Sequence, residues 1–188
     1  MKIAVLAWGS LVWEPGDLKI VDGNWYTGGP ELPIELSRLS SRRGHLTYVI
    51  DERHKRRVPT HYGISEFDEL PQAIANLATR EECPTGSIGY AEAVDVASIT
   101  SGAEIVDNVR AWAKSKKIDA VIWTNLPPTL SDVADQGKIV DWWKTKLSPA
   151  RQKDAARYAS RAPVEVDTDL RRRLVKEKLI PEYSAEDE

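Results

Sequence analysis

The chain has 188 residues, 41% hydrophobic and 29% charged, with a net charge of -3 and a pI ≈ 5.7; this describes an ordinary soluble globular protein and argues against one built to coat nucleic acid. No apolar run approaches the roughly 20 residues that span a bilayer, and the apolar stretch of the opening MKIAVLAWGS is too short for a secretion signal, so a cytoplasmic protein with no membrane partner is expected. The lone Cys83 cannot form an intramolecular disulfide, and with only His45, His54 and His61 there is no Cys/His cluster of structural-zinc spacing, so no metal is expected.

In chain order, Lys2 to Ala7 is a short apolar run that breaks at Trp8-Gly9-Ser10, the pattern of a buried strand entering a Gly-containing turn. Glu14 to Pro33 carries Pro15-Gly16, Asp22-Gly23-Asn24 and Gly28-Gly29-Pro30, which leave room for short extended pieces only. Ile34 to Leu39 and Leu46 to Ile50 read as a hairpin around the polar turn Ser40 to Gly44. Between Asp68 and Glu82 the spacing becomes helical, with Pro71 suited to a first turn.

Ile88 to Val96 reads as a strand, Ala103 to Lys117 as a helix, and Ile118 to Trp123 as a last strand closed by Asn125-Leu126-Pro127-Pro128. Helical patterns follow over Ser131 to Leu147, Pro149 to Ser160 and Thr168 to Leu179, the last with Thr168 as its N-cap. Strands come first and helices later, which predicts an α+β protein of one domain, with a core over 1–130 and a helical extension over 131–188.

One carboxylate stands out. At about 100° per residue, Leu70, Ile74, Leu77 and Glu81 share one narrow arc of their helix, while Glu82 projects away from it. A carboxylate ending a buried stripe is desolvated, which suits it to hold or accept a proton near neutral pH. The structural alternatives are that the helix frays before Glu81, or that Arg80 or a nearby arginine such as Arg38 or Arg42 pairs with it. Glu92 is a rival on its own strand, as the misfit on an otherwise apolar face.

The backbone N–H groups around Gly9, Ser10 and Leu11 offer a donor set for an anion, or simply a tight turn. Neither phosphate-loop spacing nor a G-x-S-x-G elbow accompanies them. The basic runs Arg53 to Arg57 and Arg171 to Arg173 lack interleaved aromatics and read as solvated faces, so no nucleic-acid partner is expected. Glu186 to Glu188 reads as an exposed acidic end. Of seven Trp, Trp8 and Trp13 flank the first loop and Trp123 ends a strand, where they suit pocket walls; Trp112, Trp142 and Trp143 fall on helices and suit packing.

Taken together, Ala7-Trp8-Gly9-Ser10-Leu11-Val12-Trp13-Glu14-Pro15-Gly16 and the helix end Leu77-Ala78-Thr79-Arg80-Glu81-Glu82 resemble the gamma-glutamylcyclotransferase-like family, especially its glutathione-degrading branch. Arg43-Gly44 is similar to an Arg-Gly pair of that family. The chain departs from the pattern at Trp8, where the family usually has Tyr. The resemblance covers about residues 1–130.

It implies a mixed sheet curled into a partial barrel with surrounding helices, and a cofactor-free release of 5-oxoproline from a γ-glutamyl amine, amino acid or small peptide. Glu81 would be the general acid and base; Trp8, Gly9, Ser10, Leu11 and Tyr90 would bind substrate, with Trp123-Thr124 adding wall or hydrogen bonds. The loop amides would hold the substrate's α-carboxylate or polarise its reacting carbonyl. A monomer or homodimer acting on a small molecule is expected. The alternative is a non-catalytic module on the same fold that binds small carboxylates.

Overall fold

A computed structural model of the chain describes residues 1–93, the backbone of 98–99, and residues 102–130 and 136–182. The expected strand end through Val94 and Val96, the helix start at Ser131 and the acidic end Glu186 to Glu188 lie outside the described residues. Helix and strand are both well represented, in keeping with an α+β reading. Among the described residues the strands form two separate sheets, and neither closes into a barrel. The chain divides into two compact units, Met1–Leu32 with Pro59–Leu126, and Pro33–Val58 with Pro127–Glu188. The hairpin, grouped by sequence with the core over 1–130, thus falls in the second unit with the C-terminal helices.

The first unit is built on a five-stranded mixed sheet. Strand β1 (Ile3–Ala7) is buried along its whole length. It lies between β4 (His61–Ile64), antiparallel to it, and β7 (Ala120–Thr124), parallel to it. Beyond β7, β5 (Ile88–Glu92) and β6 (Ser98–Ile99) complete the order β4-β1-β7-β5-β6. The unbroken apolar runs of β1 and β7 suit strands covered on both faces. Strand β4 carries no such run, and sequence patterning misses it. At its Gly63 an added Cβ would come within 2.8 Å of the Ile20 side chain, so what crosses this strand fixes its composition.

Helix α2 (Leu70–Glu81) starts with proline in its first turn and covers one face of the sheet. Its Ala73, Leu77 and Ala78 pack in one cluster with Ile3, Val5, Ala7, Ile88, Ala120 and Ile122, the period-four stripe of the helix meeting the period-two alternation of the strands. Glu82 closes the helix in the left-handed region, φ 52, its N–H bonded to the Ala78 and Thr79 carbonyls. Helix α3 (Ala103–Lys116) covers the other face: Trp112 meets the Tyr62 ring edge-on, and Tyr62 lies opposite Leu6.

In the second unit β2 (Ile34–Leu39) and β3 (Leu46–Ile50) form the expected hairpin, with an irregular register between Leu36 and Arg38. Three helices accompany it: α4 (Gln136–Lys146), α5 (Pro149–Ser160) and α6 (Asp169–Lys176). The Ser148 and Thr168 hydroxyls cap α5 and α6 by accepting from Arg151 N and Arg171 N. Tyr48 joins β3 to α5, its hydroxyl donating to the Ala159 carbonyl at 2.9 Å.

The solvated reading of Arg171 to Arg173 is corrected at Arg171, which is fully buried on the face of α6 that also carries Leu170 and Leu174. Its guanidinium donates to the carbonyls of Ser160, Ala162, Pro163 and Val166. The Ser160 and Ala162 carbonyls lie where α5 has ended and no helical N–H is left to serve them, while those of Pro163 and Val166 also accept from Val166 N and Thr168 N. In the other basic run, Arg53 binds Asp51 and the Leu130 carbonyl, and Arg56 binds Asp167.

Candidate functional site

Strand β1 runs out at Ala7 near the middle of the sheet, and a buried Gly9 leads directly into the short helix α1 (Ser10–Trp13). Within α1, Val12 N bonds the Gly9 carbonyl and Glu14 N the Ser10 carbonyl. The amides of Ser10 and Leu11 belong to the first turn, where a helix supplies no acceptor of its own. Trp8 and Leu11 are buried at 5% and 6% exposure, and Ser10 is half-buried.

Helix α2 reaches the same end of the sheet with its last turn. Arg80, its side chain 7% exposed, donates from Nη1 to Glu81 Oε1 at 2.8 Å. Its Nη2 points at Ser10 Oγ, 3.4 Å away, and also bonds the Glu14 carbonyl. One guanidinium therefore spans the gap between the Glu81 carboxylate and both ends of α1. The Glu81 side chain is 17% exposed, whereas Glu82 beside it is exposed. Of the pairings that sequence left open for Glu81, the one with Arg80 is present, and it lies at the first loop.

The sheet register adds two residues. Ala7 is directly opposite His61 on β4, and extending the β1–β7 register by two residues sets Thr124 on its other side. Thr124 is in turn opposite Ile88. Ala7 and Ile88 both belong to the cluster beneath α2, so His61 and Thr124 face α2 as well. Both are buried, and neither His61 Nδ1 nor Thr124 Oγ1 has a hydrogen-bond partner among the described residues. His61 escapes sequence analysis as a site residue because its strand does; Thr124, at the end of an apolar run, is among the residues that the resemblance adds to the site.

Tyr90 faces the same side two residues further along β5, opposite Ile122, half-buried against the core cluster. Glu92 is separated from this group. It pairs with Ala120, at the opposite end of β7 from Thr124.

In the second unit Glu35, His54 and Asp169 bring three possible metal-ligand atoms within 4.8 Å of one another. Glu35 is already occupied there. It accepts from Thr168 Oγ1 at 2.6 Å and from the amides of Leu36 and Leu170, as a carboxylate seated on the first turn of α6 does. Arg56 stands 4.0 Å from Asp169, placing a cation where a metal would compete with it. This group reads as a helix cap. Burial, the largest influence on Glu35, raises its carboxyl above the ordinary range despite those donors.

Compared with protein-family models, curated proteins and solved structures, the chain finds no match. Ser10, His61, Arg80, Glu81 and Thr124 gather at the carboxyl ends of β1 and β7. That is where open α/β sheets hold their ligands.

Proposed function

We propose that the chain is a cofactor-free cyclotransferase of the gamma-glutamylcyclotransferase-like kind, releasing 5-oxoproline from a γ-glutamyl amine, amino acid or small peptide. The observation that carries this reading is the Arg80 guanidinium between the Glu81 carboxylate and Ser10. It sets a proton-transfer group beside the first-turn amides of a helix. Those are the two tools that an intramolecular aminolysis needs.

In the proposed reaction the substrate's α-amine attacks its own γ-carbonyl. A nitrogen–carbon bond forms, the bond to the leaving amine breaks, and a five-membered lactam results. Two protons leave the attacking nitrogen and two end on the departing amine, so one carboxylate can take and return them in turn. A carboxylate paired with a guanidinium is favoured in its ionised form, the form that takes the first proton. The amides of Ser10 and Leu11 would stabilise the oxyanion that develops on the γ-carbonyl oxygen. Nucleophile and electrophile share one molecule, so holding it folded supplies much of the rate.

Replacing Glu81 with Gln is expected to abolish 5-oxoproline release from γ-glutamyl compounds while the thermal unfolding midpoint stays near that of the parent chain. Full activity in Glu81→Gln would sink the assignment. The second reading is a binding module without turnover. It is favoured by Trp8, a buried indole where the resembled family carries a phenol. Saturable binding of small carboxylates with no product from any γ-glutamyl compound would establish it instead.

A further inference from the structure

Among the described residues of the first unit, the buried side-chain polar atoms without a partner are Trp25 Nε1, His61 Nδ1 and Thr124 Oγ1. All belong to the α2 side of the sheet: Trp25 packs on the cluster under α2, and His61 and Thr124 flank its Ala7. An orphaned buried polar group has lost its water without gaining a partner, and native folds carry few without a reason. Two such groups on one row, at the carboxyl ends of the paired parallel strands and beside α1, mark a place kept for a polar ligand.

We infer that His61 and Thr124 bind the α-carboxylate of the γ-glutamyl substrate. An imidazole N–H and a hydroxyl can each donate one hydrogen bond, and a carboxylate offers one oxygen to each. Their Cα atoms are two strand spacings apart, about 10 Å, with only the Ala7 methyl between them. That span suits two donors converging on a group the width of a carboxylate. The α1 amides then remain for the γ-carbonyl oxygen and Glu81 for the amine, so each polar group of the substrate has its own partner. The inference rests on the cyclotransferase reading above.

The test is titration of the whole chain with 5-oxoproline, followed through the ring 15N resonances of His61. Saturable shifts are expected. Thr124→Val and His61→Phe should each weaken binding ten-fold or more, and 5-oxoprolinamide, which lacks the carboxylate, should bind the parent chain as weakly as 5-oxoproline binds the variants. Because Thr124→Val removes an unpaired hydroxyl without changing side-chain shape, its thermal midpoint should be at least that of the parent. A purely structural hydroxyl, or one serving an internal water alone, would give lower stability with unchanged affinity, and that result overturns the inference. Turnover of a γ-glutamyl amide with no response at His61 overturns it while leaving the Glu81 chemistry intact. Neither binding nor turnover in the parent chain removes both.

Discussion

The Arg80 guanidinium lies 2.8 Å from the carboxylate of its immediate neighbour Glu81, although adjacent residues leave a helix about 100° apart and do not ordinarily face each other. They converge because α2 is ending and α1 offers Arg80 two further acceptors, Ser10 Oγ and the Glu14 carbonyl. In the proposed reaction Arg80 is thus a positioning residue for Glu81. Its planar fork spreads its donors over three acceptors in a fixed geometry, which the single, compact ammonium of lysine does not reproduce.

Arg80→Lys is therefore expected to lower kcat by about 100-fold, the order of loss that a displacement near 1 Å brings. KM should change little, and the pH profile of kcat should move, because the group beside the proposed acid/base has changed. Stability should fall by about 1.5–3 kcal/mol for the lost charge-assisted bonds. Wild-type kcat and pH profile in this variant would show that Arg80 merely packs.

Trp123 makes a second relationship testable. Its indole lies over Gly89, opposite it on β5, so closely that an added Cβ would come within 2.5 Å of two ring atoms and 2.9 Å of a third. The ring is fully buried and has nowhere to yield. Gly89→Ala should cost about 1–3 kcal/mol as overpacking, read as a lower urea midpoint at unchanged slope. An unchanged midpoint would show that the sheet moves to accept the methyl group.

How much of this was legible in the sequence follows from where the information resides. Strand β1, helix α2 and the hairpin carry their own periodicity over five to twelve residues, and they appear close to where they are expected. The contrast between Glu81 and Glu82 is also local, since it follows from helical angle alone. Strand β4 is different: four residues, one of them Gly63, placed by β1 on one side and by Ile20 and Asn24 across it. His61 came into view only with that strand. Arg171 differs from the expectation for a related reason, since three consecutive arginines look alike in sequence and only the carbonyls after α5 distinguish the first.

Two carboxyls of the second unit predict opposite responses to pH. Burial, the largest influence on Glu35, holds it above its ordinary 4.5 against the bonds from Thr168, Leu36 and Leu170. The folded chain then holds that proton more tightly than the unfolded one, so this contribution to stability is complete below pH 4.5 and is lost as pH rises through the folded-state value. Burial also pushes Asp51 upward, but the bonds from Arg53 outweigh it and hold the carboxyl below its ordinary 3.8. Its contribution is present above pH 3.8 and lost as pH falls through the folded-state value. Urea stability measured at close pH intervals should show Glu35→Gln losing the decline above pH 4.5 and Asp51→Asn losing the acid-side loss. Parent slopes in both variants would refute this account.

Arg171 gives the largest expected loss of stability. Its side chain is fully buried and donates to four main-chain carbonyls between 2.6 and 3.0 Å, from Ser160 to Val166. Methionine matches the length of the stem but supplies no donor, so Arg171→Met leaves the Ser160 and Ala162 carbonyls unpaired, at about 1–3 kcal/mol each before relaxation or water entry, and takes a second donor from those of Pro163 and Val166, which keep the Val166 and Thr168 amides. A net loss of about 3 kcal/mol or more is expected, enough to unfold a marginal domain in part at room temperature. Lysine brings three donors without the fork and should fall between the two. The order Arg, Lys, Met in urea midpoint is the result to look for. Equal midpoints for Lys and Met would mean that the planar fork, rather than charge or donor number, holds the turn after α5.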